Sequence, residues 1–268
     1  MTYVINKLKQ LNQIPFPVTI RHLVSYGVAG KSFKDGTMRT GESWLVLRND
    51  HPHYRIPDTR EEWLRELSLG DKDGQDKGLQ DRVKSFAALL KREQITTVYS
   101  IGSGGGIFEY YLKKHSPETT VVGTECTTEG VERLRRVCTE LDDVRLFDAL
   151  DRESWKKLGN DPKSIVFIYR NEREFSDSQW QQIWEGMYAG HVEKVFLGLM
   201  WTLTIRAFVQ LKARNLLKRI RGERLTFTGY LRSLEGLRRF WKGKYNEREF
   251  IDFPACTGIY LTRHDRNI

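Results

Sequence analysis

The chain has 268 residues, of which 39% are hydrophobic and 12% aromatic, so it can bury one full core, and global disorder is excluded. Its formal net charge is +9, and residues 206–268 carry all of this excess, with 15 Lys and Arg against 6 Asp and Glu. The three cysteines Cys126, Cys138 and Cys256 are odd in number and widely spaced, which excludes a disulfide framework and fits a reducing compartment.

The sequence shows neither a membrane anchor nor a secretory signal. The longest apolar run, residues 195–205, is too short to cross a bilayer. Residues 1–7 lack the apolar stretch and cleavage pattern of a signal peptide. We therefore expect a cytoplasmic location, either free or peripheral to a membrane.

The N-terminal part of the chain is predicted to form a cap or extension. A helix is expected over residues 58–67, and the polar, glycine-containing segment 71–78 is typical of a linker. His51 and His53 have the spacing of one strand face and are candidate general bases. The pattern offers no further ligands beside this pair, so we predict no structural metal.

A helix over residues 79–92 leads into a glycine-rich turn, which is the most informative feature of the sequence. The apolar run Val98–Ile101 ends in Gly102-Ser103-Gly104-Gly105-Gly106, and an amphipathic segment over residues 107–115 follows. Glycines between a strand and a helix let the backbone approach an adenosine-containing ligand closely. The dinucleotide fingerprint does not fit, because its third small residue would be Ile107, and no Lys-Ser or Lys-Thr pair follows to make a P-loop.

Two further strand-like runs, Val121–Glu125 and Asp143–Asp148, each end in an acid. In a parallel sheet the end of the second strand lies beside the glycine turn, where Glu125 can accept hydrogen bonds from both hydroxyls of a ribose. Each acid alone could equally be a solvated loop carboxylate. The order and spacing of the three elements together favour a nucleoside site.

The pattern from Val98 to Asp148 resembles motif I and the next two strand ends of the class I S-adenosylmethionine-dependent methyltransferases. The resemblance covers residues 80–264 and implies an α/β fold, a Rossmann-like sheet with helices on both faces and an antiparallel last strand. It implies S-adenosylmethionine as the cofactor, with Asp148 at the adenine amine. The residues that it assigns to cofactor binding are Ile101, Gly102, Ser103, Gly104, Gly106, Glu125, Cys126, Asp148, Ala149 and Tyr169.

The remainder of the chain fits the same fold. Apolar runs and cap residues predict, in order, a strand over 164–169, a helix over 177–188 capped by Ser176 or Asp177, a strand over 192–201, a helix over 231–241 with Leu231 on its apolar stripe, and strands over 249–253 and 257–262. We therefore divide the chain into an N-terminal cap over residues 1–78 and a methyltransferase-like domain over residues 79–268.

The residues after the fourth strand separate subclasses of the superfamily. Methyltransferases of adenine or glutamine amino groups carry Asp/Asn-Pro-Pro-Tyr/Phe there, whereas this chain reads Tyr169-Arg170-Asn171 without proline. The resemblance therefore favours O-methylation of a small-molecule or glycan acceptor, with Arg170 and Asn171 at the substrate; a structural ion pair is an equal interpretation of Arg170. The candidate catalytic residues are His51, His53, Tyr169 and His191.

Ser100 stands two residues before the first glycine, where the superfamily usually has an acid near the methionine end of the cofactor. A serine can donate a hydrogen bond but cannot neutralise an ammonium. This departure implies weaker cofactor binding, a substitute acid such as Glu109, or a chain without activity.

Residues 206–224 form the densest basic segment, and their apolar positions predict an amphipathic helix inserted at about residues 203–224. An anionic acceptor, a lipid-linked acceptor or an anionic membrane surface fits this charge. So does nucleic acid, which makes an RNA or DNA methyltransferase the alternative function. A further alternative function is that of a non-catalytic binding module. The basic segment itself has a second interpretation, a solvated helix whose long side chains merely cover the core.

Overall fold

The computed structural model describes residues 12–25, 56–72, 75–158, 161–223, 225–253 and 256–264, which form nine strands and eight helices. The strands are β1 (Thr19–Ser25), β2 (Thr97–Ile101), β3 (Thr120–Glu125), β4 (Asp143–Leu146), β5 (Ser164–Tyr169), β6 (Lys194–Leu199), β7 (Leu225–Arg232), β8 (Tyr245–Phe253) and β9 (Cys256–Arg263). The helices are α1 (Arg60–Lys72), α2 (Gln75–Arg92), α3 (Ile107–His115), α4 (Thr128–Val137), α5 (Arg152–Lys156), α6 (Asp177–Ala189), α7 (Ile205–Ile220) and α8 (Leu234–Trp241). The candidate bases His51 and His53 lie outside the described residues.

Seven strands form the main sheet in the order β4-β3-β2-β5-β6-β9-β8. Strands β2 to β6 pair in parallel, and β9 runs antiparallel to both β6 and β8. The chain enters at β2, moves outward through β3 and β4, and returns to β5 on the other side of β2. The carboxyl ends of β2 and β5 therefore flank the point where the strand order reverses, which is where open α/β sheets bind ligands. The predicted fold class is confirmed.

Alternate residues of the central strands feed two cores, one on each face of the sheet, because successive side chains of a strand point to opposite faces. In the first core Phe167 stacks on Phe86 of α2 and Phe196 packs against it at a tilt, with ring centroids 4.6 and 4.7 Å from that of Phe86. The second core packs helices α5, α6 and α8 around the tryptophans Trp155, Trp180, Trp184 and Trp241. Helices on both faces hold the central strands rigid and leave their carboxyl ends to form a site.

Strand β1 pairs antiparallel with β7 in a second, two-stranded sheet that was not predicted. The prediction that Leu231 begins the stripe of a helix is wrong, because Leu231 lies in β7 opposite Ile20. Helix α8 starts three residues later, where the Ser233 hydroxyl accepts a hydrogen bond from the Gly236 N–H at 3.0 Å. A strand and a helix joined by one cap residue carry a continuous apolar pattern, and this continuity concealed the boundary.

The predicted linker over residues 71–78 is also wrong in most of its length. Helix α1 extends to Lys72 and α2 already begins at Gln75, so the proposed domain boundary at Gly78 falls within a helix. The acidic and glycine residues of this segment resemble a loop locally. The long amphipathic pattern of α2 outweighs them.

Candidate functional site

The glycine turn after β2 folds back on the end of β3. Gly102, Gly104 and Gly106 have φ angles of 66°, 62° and 70°, in the left-handed region that glycine adopts without a steric penalty. The Gly102 N–H donates to the Thr124 hydroxyl at 3.1 Å, and the Gly104 N–H donates to the Glu125 carboxylate at 2.6 Å. The turn and the acid that the sequence assigned to one site are therefore in direct contact.

Gly106 serves close packing as well as turn geometry. A methyl group at this position would lie 2.9 Å from Cδ1 of Leu134 and 3.1 Å from Sγ of Cys138. The absence of a side chain therefore allows the start of α3 to sit against the end of α4. Helix α3 consequently presents its amino-terminal end at the edge of the sheet where the parallel strands finish, called here the carboxyl edge.

The remaining cofactor candidates follow the next two strands at the same edge. Glu125 is buried at the end of β3, and Cys126 beside it is half-buried. Asp148 follows β4, is exposed, and accepts a hydrogen bond from the Leu150 N–H at 2.9 Å. The Ala149 carbonyl accepts the indole N–H of Trp155, also at 2.9 Å. Thus β2, β3 and β4 each bring their predicted residues to one edge.

Glu109, in the first turn of α3, forms a hydrogen bond with the Ser100 hydroxyl of β2. Both side chains are buried. Burial raises the pKa of Glu109 to about 7, and the negative charge of Glu125 acts in the same direction, while the hydrogen bond from Ser100 opposes them. An acid thus stands against Ser100, where the superfamily usually has an acid on the strand itself.

The segment after β5 closes over the glycine turn. The Asn171 amide donates to the carbonyls of Ile101 at 2.6 Å and Gly102 at 3.2 Å. The Tyr169 ring packs on Gly198, where a methyl group would approach its Cδ2 to 2.4 Å. Arg170 has φ 61° and its guanidinium lies 3.3 Å from the sulfur of Met200. Asn171 therefore fastens the segment to β2, and Arg170 turns toward the segment after β6.

Two residues that the sequence analysis missed, Arg232 and Glu172, hold this segment in place. The buried Arg232 guanidinium donates to the carbonyls of Glu172 and Phe175, both at 2.6 Å, and to the Asp177 carboxylate at 2.8 Å. Glu172 accepts the Met200 N–H at 3.0 Å through Oε1, whereas its buried Oε2 has no hydrogen-bond partner among the described residues. Burial raises the pKa of Glu172. A lone arginine in a strand gives no sequence signal for such a role.

A second missed group, His22 with Arg173 and Trp201, lies beside this segment. His22 of β1 is buried, with Nδ1 at 2.6 Å from the Arg173 guanidinium and its ring 6.0 Å from that of Trp201. Burial and the positive charge of Arg173 lower the pKa of His22 to about 4. The imidazole is therefore neutral near pH 7, and its Nδ1 accepts the hydrogen bond from Arg173.

A cavity of about 430 Å³ lies under helix α7, next to this group. Apolar side chains supply most of its wall, and Gln210 and Arg214 supply polar groups. Its lining residues include Trp201, Leu203, Gln210, Leu211, Arg214 and Leu231. Because Trp201 and Leu203 follow β6, the cavity adjoins the carboxyl edge on the far side of the segment after β5. We call it the α7 cavity.

The N-terminal extension contacts the glycine turn through Trp63 of α1. The buried Trp63 indole donates a hydrogen bond to the Gly105 carbonyl at 2.7 Å. Arg60, one turn earlier, donates to the Val137 carbonyl at 2.8 Å and forms an ion pair with Glu140. Helix α1 is therefore bound both to the glycine turn and to the end of α4.

His191 lies apart from this site. It is exposed in the tight turn before β6, with φ 58°, and so stands at the amino-terminal edge of the parallel strands. Within the part of the chain that the structure describes, no group of three or more His, Cys, Asp or Glu side chains is arranged to hold a metal ion. Nor is any described helix long and apolar enough to cross a membrane.

Solved structures of S-adenosylmethionine-dependent methyltransferases share this architecture. One from Anabaena variabilis ATCC 29413 matches with a TM-score of 0.56 and 11% identity over 88% of this chain and 99% of that one. The chain has the class I methyltransferase fold. Magnesium protoporphyrin IX methyltransferase from Synechocystis PCC 6803 with bound SAH matches with a TM-score of 0.52 and 14% identity over 70% of this chain and 84% of that one.

Human N-acetylserotonin methyltransferase in complex with SAM is also similar, with a TM-score of 0.52 and 12% identity over 89% of this chain and 66% of that one. At such identities the similarity concerns the fold. No protein-family model and no curated protein matches the sequence.

Proposed function

We propose that the protein is an S-adenosylmethionine-dependent methyltransferase that methylates an oxygen of an anionic small-molecule or glycan acceptor. One observation carries this proposal: three left-handed glycines between β2 and α3, with the Glu125 carboxylate on the Gly104 N–H. A backbone turn of this kind beside an acid suits a nucleoside with free ribose hydroxyls. The similar structures that contain SAH or SAM support the choice of cofactor.

The residues at the carboxyl edge fit the cofactor by their chemistry. Glu125 would accept the ribose hydroxyls, with Cys126 beside it, and Asp148 and Ala149 would border the adenine. The glycine turn, from Ile101 to Gly106, would lie along the cofactor backbone, with Tyr169 at the mouth. When bound, S-adenosylmethionine supplies a methyl group on a positively charged sulfur, so alignment with the acceptor provides much of the catalysis.

Glu109 would balance the positive charge of the cofactor. A cation near a buried carboxyl favours its ionised form, so binding would bring Glu109 from partial protonation to the carboxylate. The chain would thereby keep an acid near the methionine end, although the strand position itself is occupied by Ser100.

The α7 cavity is the proposed acceptor site. It adjoins the segment after β5, and its wall combines apolar side chains with the Arg214 guanidinium. The Arg173 guanidinium lies 5.7 Å from the ring of Trp201, which lines this cavity, and Arg170 contacts Met200 next to it in the chain, so the surroundings are positive and favour an anionic acceptor. A hydroxyl acceptor needs a base, and the unpartnered Oε2 of Glu172, with a raised pKa, makes this residue the strongest described candidate.

A labelling experiment tests this function. The protein is incubated with S-adenosylmethionine carrying a radioactive methyl group and with separate small-molecule and RNA fractions of a cell extract. We expect label on a hydroxyl in the small-molecule fraction, recognised by a mass increase of one methylene. Glu125→Ala should abolish transfer, whereas Glu172→Gln should lower kcat and leave cofactor affinity unchanged. Label confined to RNA would instead support the nucleic-acid alternative, and no label in any fraction would support the non-catalytic one.

A further inference from the structure

Helix α7 carries an apolar stripe that is open to solvent. Ile205, Val209, Leu216 and Ile220 are 45%, 59%, 60% and 73% exposed. At about 100° per residue these four positions lie within an arc of about 60° on one face of the helix. Single exposed apolar residues are common, but an aligned row along one helix marks an interaction surface.

The opposite face of α7 already has its partners. Leu211 packs with Ile14, Leu203 and Leu231 in a small third core, and the same face forms one wall of the α7 cavity. Helix α7 therefore carries apolar residues on both its inner and its outer side. Core packing explains only the inner set, so the outer stripe requires another explanation.

Cations border the apolar stripe on both sides. Lys212 and Arg219 lie along one border, and Arg206 lies along the other, all of them exposed. The segment from Ile205 to Ile220 contains five Lys and Arg and no Asp or Glu. The outer face of α7 thus combines an apolar centre with a basic rim.

We propose that α7 docks the protein onto an anionic phospholipid membrane. The apolar stripe enters the boundary between head groups and acyl chains, and the three bordering cations contact lipid phosphates, as in helices that lie in the plane of a membrane interface. Nucleic acid would use the cations but would gain little from an aliphatic row. A second copy of the chain would bring the same basic rim, and the like charges would repel.

Docking would also place the α7 cavity about 10 Å, one helix diameter, from the lipid surface, because Gln210 and Arg214 line it from the inner side of the docked helix. In a step that rests on the proposed function, the acceptor is then an anionic, lipid-anchored hydroxyl compound. Such a compound would reach the cavity with its polar end while its hydrocarbon part stays in the bilayer.

Titration with lipid vesicles tests the docking. The full chain is floated with vesicles of phosphatidylcholine alone and of phosphatidylcholine with about one third phosphatidylglycerol, at low and high salt. We expect binding to the anionic vesicles, weakening with salt as the head-group attraction is screened, and little binding to the neutral ones. Val209→Ser with Ile220→Ser should lower the affinity about tenfold or more, since two aliphatic side chains leave the acyl boundary.

Matched controls separate this surface from general effects. Leu64→Ser with Phe250→Ser removes exposed apolar side chains elsewhere, and should leave vesicle affinity unchanged. Lys212→Glu with Arg219→Glu should weaken binding about tenfold or more. Arg152→Glu with Lys157→Glu makes the same change in net charge on and beside α5, and should have little effect. Circular dichroism confirms that each variant is folded.

The proposal is overturned if the wild type does not bind anionic vesicles, or if the stripe variant binds as tightly as its control. Salt-sensitive binding to single-stranded RNA without vesicle binding, or a concentration-dependent dimer that the stripe variant abolishes, would equally overturn it. Because vesicle binding needs no cofactor, a separate titration with S-adenosylhomocysteine shows whether the proposed function fails independently.

Discussion

Glu125 and Glu109 are two buried acids beside the same glycine turn, yet the chain holds them differently. Glu125 accepts a backbone N–H at the end of a strand, whereas Glu109 is satisfied by a serine hydroxyl inside the protein. Glu125 can therefore exchange the Gly104 N–H for ribose hydroxyls as its hydrogen-bond donors, and this exchange buries no new charge. The internal position of Glu109 instead makes its protonation respond to its surroundings, so the two acids have different roles.

Glu109 gives a prediction for the pH dependence of stability. Its folded pKa of about 7 lies above the unfolded value of 4.5, so the folded state holds the extra proton between these values. The contribution of Glu109 to the free energy of unfolding therefore falls as pH rises through this window and is smallest above pH 7. The free energy of unfolding of Glu109→Gln, relative to that of the wild type, should therefore rise by about 3 kcal/mol from pH 4 to pH 8. Urea denaturation at several pH values measures this difference.

Glu140 provides a control of opposite sign. Burial alone would raise the pKa of Glu140, but the hydrogen bonds from Arg60 outweigh it and hold this pKa below its ordinary value. The stabilisation is therefore present at neutral pH and lost in acid, so Glu140→Gln should be most destabilised relative to the wild type at the higher pH. A difference between Glu109→Gln and the wild type that does not change with pH would contradict the burial of Glu109.

At the scale of elements, the segment joining β7 to α8 also anchors the N-terminal chain. The buried Ser233 hydroxyl accepts hydrogen bonds from the N–H groups of Gly236 and Val18, both at 3.0 Å, and donates to the Phe16 carbonyl at 2.9 Å. One hydroxyl thus caps a helix and orients the chain that leads into β1. The small sheet and α8 are therefore expected to lose stability together.

Replacing this hydroxyl tests the coupling. Ser233→Ala should lower the free energy of unfolding by about 3 kcal/mol, because it removes a cap and leaves further buried groups without partners. Thr127→Ala removes the cap of α4, whose hydroxyl accepts the Gly130 N–H at 3.0 Å, and should cost about 1 kcal/mol. Equal losses in chemical denaturation would show that Ser233 acts as an ordinary helix cap.

The elements differ in how well the sequence predicts them. Glycines, terminal acids and continuous apolar runs are local signals, and they identified β2 to β6 together with α3 and α6. The pairing of β1 with β7 joins residues about two hundred positions apart and depends on tertiary contact. His22 and Arg232 became recognisable only through this pairing, because a single buried histidine or arginine in a strand carries no pattern of its own.

At the scale of the whole molecule, the proposed functions meet along the carboxyl edge. The glycine turn at β2, the segment after β5 and the α7 cavity after β6 follow one another across neighbouring strands. Trp63 closes the turn from the N-terminal side, and α7 covers the cavity from the other. Cofactor, acceptor and membrane would therefore meet in this order along one side of the protein.

The sequence resemblance predicted the α/β sheet with helices on both faces and its antiparallel last strand. It could do so because the connections between strands fix the strand order of the superfamily. Asn171 was predicted to contact the substrate, and the structure shows its amide donating to the backbone carbonyls of Ile101 and Gly102. The cavity could not be predicted, since its wall combines the segment after β6 and helix α7 with Leu231, which lies in a strand where the sequence predicted a helix.

Calorimetric titration with S-adenosylhomocysteine tests the central claim most directly. The wild type should bind one molecule, Glu125→Ala should lose at least about a hundredfold in affinity since a buried hydrogen-bonding charge is removed, and Gly104→Arg should not bind. Lys157→Ala, outside the site, should bind as the wild type does. A folded wild-type protein that does not bind S-adenosylhomocysteine would contradict the assignment of this edge as a cofactor site.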